Sequence, residues 1–135
     1  MAKTTSDNYF YAIGKRKSAS ARVRLTGGDG KLTVNDVTAE DYFANSKTLL
    51  MELVKPFTVL DQVNKYNVSA KVIGGGHAGQ AEAIQLGIAK ALAAMNDDLK
   101  STLRRADLLG RDPREKERKK FGLKGARKKR QFTKR

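Results

Sequence analysis

The 135 residues predict an α+β fold, a small sheet of about four strands packed by helices on one face. Three observations carry this. Residues 19–25 and 67–73 alternate apolar with polar side chains, the pattern of strands buried on one side. A triple glycine at 74–76 opens a stretch, reaching about Met95, whose apolar residues recur at helical spacing. The elements come in the order strands, helices, strand, helices, without internal repeats.

Taken in order, residues 1–8 are small and polar and read as a loose end. Residues 9–13 are rich in β-formers and predict a short strand, and Gly14-Lys15-Arg16-Lys17-Ser18 a turn. In the second strand Ala21, Val23 and Leu25 point inward, and Ser20, Arg22 and Arg24 outward. Gly27-Gly28-Asp29-Gly30 reads as a tight turn into a third strand at 31–34, with Leu32 and Val34 inward. Close spacing predicts that these three strands form an antiparallel meander.

Thr38 and Asp41 resemble a capping box ahead of a short helix. Leu49, Leu50, Leu53 and Val54 predict a further helix that Pro56 stops or kinks. Residues 58–64 add a last turn packing Val59, Leu60 and Val63. A fourth strand buries Val68, Ala70 and Val72 and exposes Asn67, Ser69 and Lys71. The long helix carries Ala81, Ile84, Ile88, Ala91, Leu92 and Met95 on one stripe, slimmed by alanine and glycine for close packing on a sheet. Asp97 or Asp98 caps another helix with Leu99, Leu103 and Ala106 inward, and residues 112–115 offer a cap for one extra turn.

The charge is unevenly distributed. Net charge is +14; residues 110–135 hold 13 basic residues against 3 acidic, and residues 1–109 hold 15 against 11. This divides the chain into a globular domain, 1–109, and a basic tail, 110–135. The last eighteen residues, RKKFGLKGARKKRQFTKR, contain ten Lys or Arg, no Asp or Glu, and three scattered apolar residues, Phe121, Leu123 and Phe132. Mutual repulsion keeps such a segment extended, with a reach of up to about 60 Å. The counter-charge implied is nucleic acid first and an anionic membrane second. The outward Arg22, Arg24 and Lys71 read either as a solvated face or as an RNA-facing one.

Enzyme chemistry finds no support. There is no cysteine, so disulfides, thiolate metal sites and cysteine nucleophiles are excluded. His77 is the only histidine and cannot build an ordinary zinc site alone. Asp97 and Asp98 read as a helix cap, and Ser18, Ser20 and Ser69 lack a base partner. GGGHAGQ at 74–80 matches neither GxxxxGK[ST] nor GxGxxG. It reads as a tight strand-to-helix turn, with backbone contact to an RNA phosphate as the functional alternative. No stretch approaches the roughly 18 apolar residues of a membrane span, and no signal peptide is evident, so an intracellular, cytoplasmic protein is expected.

The chain resembles the bacterial form of the universal small-subunit ribosomal protein nine family over nearly its whole length. The resemblance rests on residues 11–17 (YAIGKRK) with 21–23 (ARV), on Gly74-Gly75-Gly76 followed by Gly79-Gln80, and on Gly87-Ile88 and Lys90-Ala91-Leu92. It continues with residues 117–124 (ERKKFGLK), Ala126-Arg127 and the closing QFTKR. Lys129-Arg130 departs from related chains, which often place a proline there.

The resemblance implies a fold like the second domain of ribosomal protein five, shared with some sugar and mevalonate kinases. It implies a structural role in the head of the small ribosomal subunit, on the 3′ major domain of its rRNA, beside neighbouring head proteins. No cofactor, metal or membrane is expected. The residues expected on rRNA are Lys15, Arg16, Lys17, Arg22, Arg24, Lys71, Gly75, Gly76, His77, Gln80 and Arg111. In the tail they are Arg118, Lys119, Lys120, Lys124, Arg127, Lys128, Lys129 and Arg130. Lys134 and Arg135 are expected at the phosphates of the peptidyl-site tRNA anticodon stem-loop. Two other readings compete: a general nucleic-acid chaperone, and an enzyme using the glycine loop, for which kinase fold analogy is weak warrant.

Overall fold

The computed structural model describes residues 9–111, 113–115, 118–122 and 124–128. The sequence predicts a segment's faces better than its neighbours, and the sheet illustrates this. Strands β1 (Phe10–Arg16), β2 (Ala19–Gly27), β3 (Leu32–Val34), β4 (Val37–Thr38) and β5 (Tyr66–Ile73) form one five-stranded sheet in the order β1-β2-β5-β3-β4. Helices α1 (Ala39–Tyr42), α2 (Lys47–Val59), α3 (His77–Met95) and α4 (Asp97–Arg105) complete the described elements. The α+β class and the inward residues of β2 and β5 stand as the alternation predicts: Ala21, Val23, Leu25, Val68, Ala70 and Val72 are all buried.

The meander does not form. β1 and β2 make an antiparallel hairpin, but the other neighbour of β2 is β5, paired antiparallel from Ser20↔Ile73 to Gly27↔Tyr66. β3 lies beyond β5, parallel to it. The two long alternating strands bury the most apolar surface when they are adjacent at the centre, and the three-residue β3 is relegated outward. Residues 27–30 therefore carry the chain across the end of β5. Asn67 fastens that crossing: its side-chain Oδ1 accepts from the amides of Asp29 (3.1 Å), Gly30 (3.2 Å) and Lys31 (3.0 Å). Asn67→Ala leaves these amides to water alone, and we expect a stability loss of about 1–2 kcal/mol in urea denaturation.

Other differences have local causes. β1 runs on through Gly14 to Arg16, so the turn shrinks to Lys17-Ser18, with Lys17 at φ +53°. Asn35 and Asp36, at φ +49° and +65°, form a two-residue hairpin turn that creates the unexpected β4. Thr38 stands at the N-terminus of α1 without a capping hydrogen bond. α2 continues through Pro56, because Leu53, Pro56 and Phe57 are buried and their packing offsets the lost hydrogen bond. Val63, beyond the helix, is exposed rather than packed. Asn96, not an aspartate, caps α4 by accepting from the Asp98 amide at 3.0 Å; Asp97 and Asp98 instead favour the helix dipole from its first turn. Residues 113–115 form no helical turn, and Asp112 and residues 1–8 lie outside the described residues.

All larger helices lie on one face. α3 packs on β1 and β2, with α2 and α4 against it. It is buried on more than one stripe, Ala83, Leu86, Gly87 and Ala89 joining the predicted residues. Gly14 and Gly87 meet at the closest approach of β1 and α3. A Cβ on Gly14 would stand 1.9 Å from the carbonyl oxygen of Ala83 and 2.6 Å from the Gly87 amide nitrogen. The opposite face of the sheet is covered by none of the described helices.

Candidate nucleic-acid interface

That uncovered face is basic and aromatic. Register aligns Tyr11, Arg24 and Ser69 across the three strands, with Ile13, Arg22 and Lys71 in the next row. Tyr9, Tyr11, Arg22, Arg24, Ser69 and Lys71 line one shallow depression. The Arg24 guanidinium sits 5.0 Å from the Tyr9 ring centroid, a cation–π contact that props both side chains outward. β1, β2 and β5 contain no aspartate or glutamate, so nothing within the strands neutralises the cations. Arg22, Arg24 and Lys71 are exposed, in the positions the alternation predicts. Sequence reasoning missed Tyr9 and Tyr11. The signal was the period-two series Tyr9, Tyr11, Ile13, obscured by reading residues 9–13 only as β-formers.

A second basic region surrounds the β1–β2 turn and the glycine loop. Lys15 and Lys17 are exposed. Gly74 and Gly75 have φ of +78° and +66°, and a Cβ on Gly74 would meet the Ser18 carbonyl oxygen at 2.6 Å. The glycines thus let the loop seat against the hairpin turn, as a tight strand-to-helix connection requires. Gly76 caps α3 through its backbone alone, with no side-chain cap bond. Gly75, Gly76 and His77 are all exposed at this helix start, where amides and dipole favour an anion. The His77 ring packs near Tyr42 and Phe43, with centroids 5.4 and 5.7 Å away.

Two of the residues expected on rRNA also have partners within the protein. Gln80 is buried and its amide is engaged at both ends: Nε2 donates to the Gly74 carbonyl at 3.0 Å, and Oε1 accepts from the Tyr42 hydroxyl at 2.7 Å. Its side chain therefore braces the glycine loop. Arg16 is half-buried and ion-paired with Glu82, and its Nη1 donates to the Arg114 carbonyl at 2.8 Å. It ties the segment after α4 to the hairpin, which makes it an anchor before it is a contact.

Among the described tail residues, Arg111, Arg118, Lys119, Lys124, Arg127 and Lys128 are exposed and Lys120 is half-buried. The Lys124 amide donates to the Lys128 carbonyl at 2.9 Å, closing a local turn. Lys129, Arg130, Lys134 and Arg135 lie outside the described residues. No cluster of His, Cys, Asp or Glu suited to a metal occurs among the described residues, and no described helix is long and apolar enough to cross a membrane.

This geometry suits an extended polyanion. A family model described as ribosomal protein S9/S16 matches residues 14–135. Small ribosomal subunit protein uS9 of Ureaplasma parvum is 51% identical over 126 residues, 93% of this chain and 94% of the relative. The protein of that name from Mycoplasmoides gallisepticum is also 51% identical, over 93% of this chain and 96% of its own. That from Malacoplasma penetrans is 46% identical over the same shares. A family-model match over residues 14–135, together with relatives about half identical across 93% of the chain, places the chain in the ribosomal protein S9/S16 family.

Proposed function

We propose that the protein binds head rRNA of the small ribosomal subunit through its domain, 1–109, and extends its tail, 110–135, toward peptidyl-site tRNA. As a member of its family it is a structural constituent of the small subunit, in contact with rRNA and other ribosomal proteins, and not an enzyme. The observation that carries the rRNA reading is the carboxylate-free basic face of β1, β2 and β5, adjoined by Lys15, Lys17 and the glycine loop. The tail reading rests on charge and on the family resemblance. Ten cations in eighteen residues, ending in Lys134 and Arg135, fit threading between phosphates.

The test is competition binding to a head rRNA fragment against excess unrelated RNA at about 0.15 M salt. The full chain is compared with one ending at Glu117. Both are expected to prefer the head fragment, with truncation making the log K against log salt slope shallower by up to about 7. Loss of preference with the tail would mean that the tail, not the domain, supplies the address. Equal binding of all RNAs by both chains would favour a general polyanion binder. Removing only Lys134 and Arg135 is expected to spare subunit assembly and weaken peptidyl-site tRNA binding. Unchanged tRNA affinity and initiation fidelity would refute the tail-tip role.

A further inference from the structure

We infer that the open sheet face binds unpaired RNA bases, which stack on Tyr9 and Tyr11 while Arg22, Arg24 and Lys71 hold the flanking phosphates. This rests on the reading of the face as an rRNA surface and goes beyond it. A surface serving phosphates alone needs cations and no aromatic rings. Here two tyrosines, 49% and 46% exposed, stand among the cations, and Ile13 and Ile73 extend the same face as exposed apolar side chains. Rings left this open to water find their natural partner in another flat, apolar surface.

Side chains two apart on a strand are about 7 Å from one another, far enough for Tyr9 and Tyr11 to take separate bases. The Arg24 guanidinium beside Tyr9 adds a planar cation on which a base can also lie. Ser69, in the same depression, offers a hydroxyl to a base edge. Bases in a duplex are stacked on each other and present no free faces, so the ligand is a loop, bulge or single strand.

The test uses the full chain and two RNAs of equal length, a head rRNA fragment with an unpaired loop and a blunt duplex. For Tyr9→Leu/Tyr11→Leu, which keeps apolar bulk without the rings, affinity for the loop RNA is expected to fall roughly 10- to 100-fold. Duplex affinity and the salt slope should change little, and Tyr9→Phe/Tyr11→Phe should restore loop binding. An independent readout is available in the unmodified chain. It has four tyrosines and no tryptophan, so its emission is tyrosine emission, expected to quench more with loop RNA than with duplex. If the leucine substitutions leave loop binding unchanged or weaken loop and duplex binding alike, and quenching is equal with both RNAs, while Arg22→Ala/Arg24→Ala/Lys71→Ala weakens binding, the face is a phosphate surface and stacking is overturned. If neither set of substitutions weakens binding, the sheet is not the RNA surface and both readings of this face fall.

Discussion

Gly14→Ala is expected to destabilise the domain by about 3 kcal/mol, the upper part of the usual cost of overpacking. The added Cβ would lie 1.9 Å from the Ala83 carbonyl oxygen and 2.6 Å from the Gly87 amide nitrogen. Both are backbone atoms of α3, so no side chain can rotate away. α3 cannot retreat either, since Ala81, Ile84, Ile88 and Leu92 are fully enclosed and α2 packs against it. Gly87→Ala meets a different obstacle, the buried Val23 side chain of β2, with its Cβ 2.5 Å from Val23 Cγ2. Gly27→Ala is the control: nothing lies within 4 Å of its Cβ, and the expected change is within about 0.5 kcal/mol. Urea denaturation measures all three, and the Gly14 variant should melt roughly 10–20 °C lower. An unchanged midpoint would show that β1 can shift off the helix at little cost. Because Tyr11 and Ile13 ride on that strand, the same variant should also lose RNA binding through its fold.

The second large effect is on binding with the fold intact. Arg22→Ala/Arg24→Ala/Lys71→Ala removes the exposed cations from the centre of the open face. On the proposed function each meets a phosphate, so the triple variant should bind the head rRNA fragment roughly 10- to 100-fold more weakly. Its salt slope should be shallower by about 2–3. Stability should move by less than about 1 kcal/mol, mostly from the lost Arg24–Tyr9 contact. A charge-matched variant, Lys55→Ala/Lys65→Ala/Lys100→Ala, removes three exposed lysines outside the β1, β2 and β5 face. Equal weakening by the two triples would mean that net charge, not this face, governs binding.

How much of this was legible depends on the kind of question asked of a residue. Alternation in residues 19–25 and 67–73 fixed which side chains of β2 and β5 point inward, because that follows from local geometry. It could not say that β5 would take the place beside β2 that proximity suggested for β3. Strand order is decided by which long pairs bury the most surface. The turn at Asn35-Asp36 was readable from two turn-formers between valines, yet β4 is only two residues long. Pro56 left a stop or a kink open; the helix does not stop there, because the local cost of proline is offset by burial of Leu53 and Phe57 in the tertiary structure. Gln80 shows the reverse limit: a polar residue in a loop motif suggested a contact, but only the structure reveals that its amide bonds Tyr42 and Gly74. The basic face was legible as charge; its tyrosines became visible only once register placed them in the same rows.

The central position of β5 also has a consequence for synthesis. The hairpin of β1 and β2 is complete when residue 27 has been made, but the strand that covers the inner edge of β2, and joins it to β3, ends at residue 73. At about 5–20 residues per second, that edge stays unpaired for seconds, while the helix that shields the hairpin's apolar side is also still to come. A nascent chain paused before residue 66 would expose an open strand edge and an uncovered row of Ala21, Val23 and Leu25. Chaperone capture or aggregation of stalled chains should therefore drop sharply once β5 and α3 have emerged.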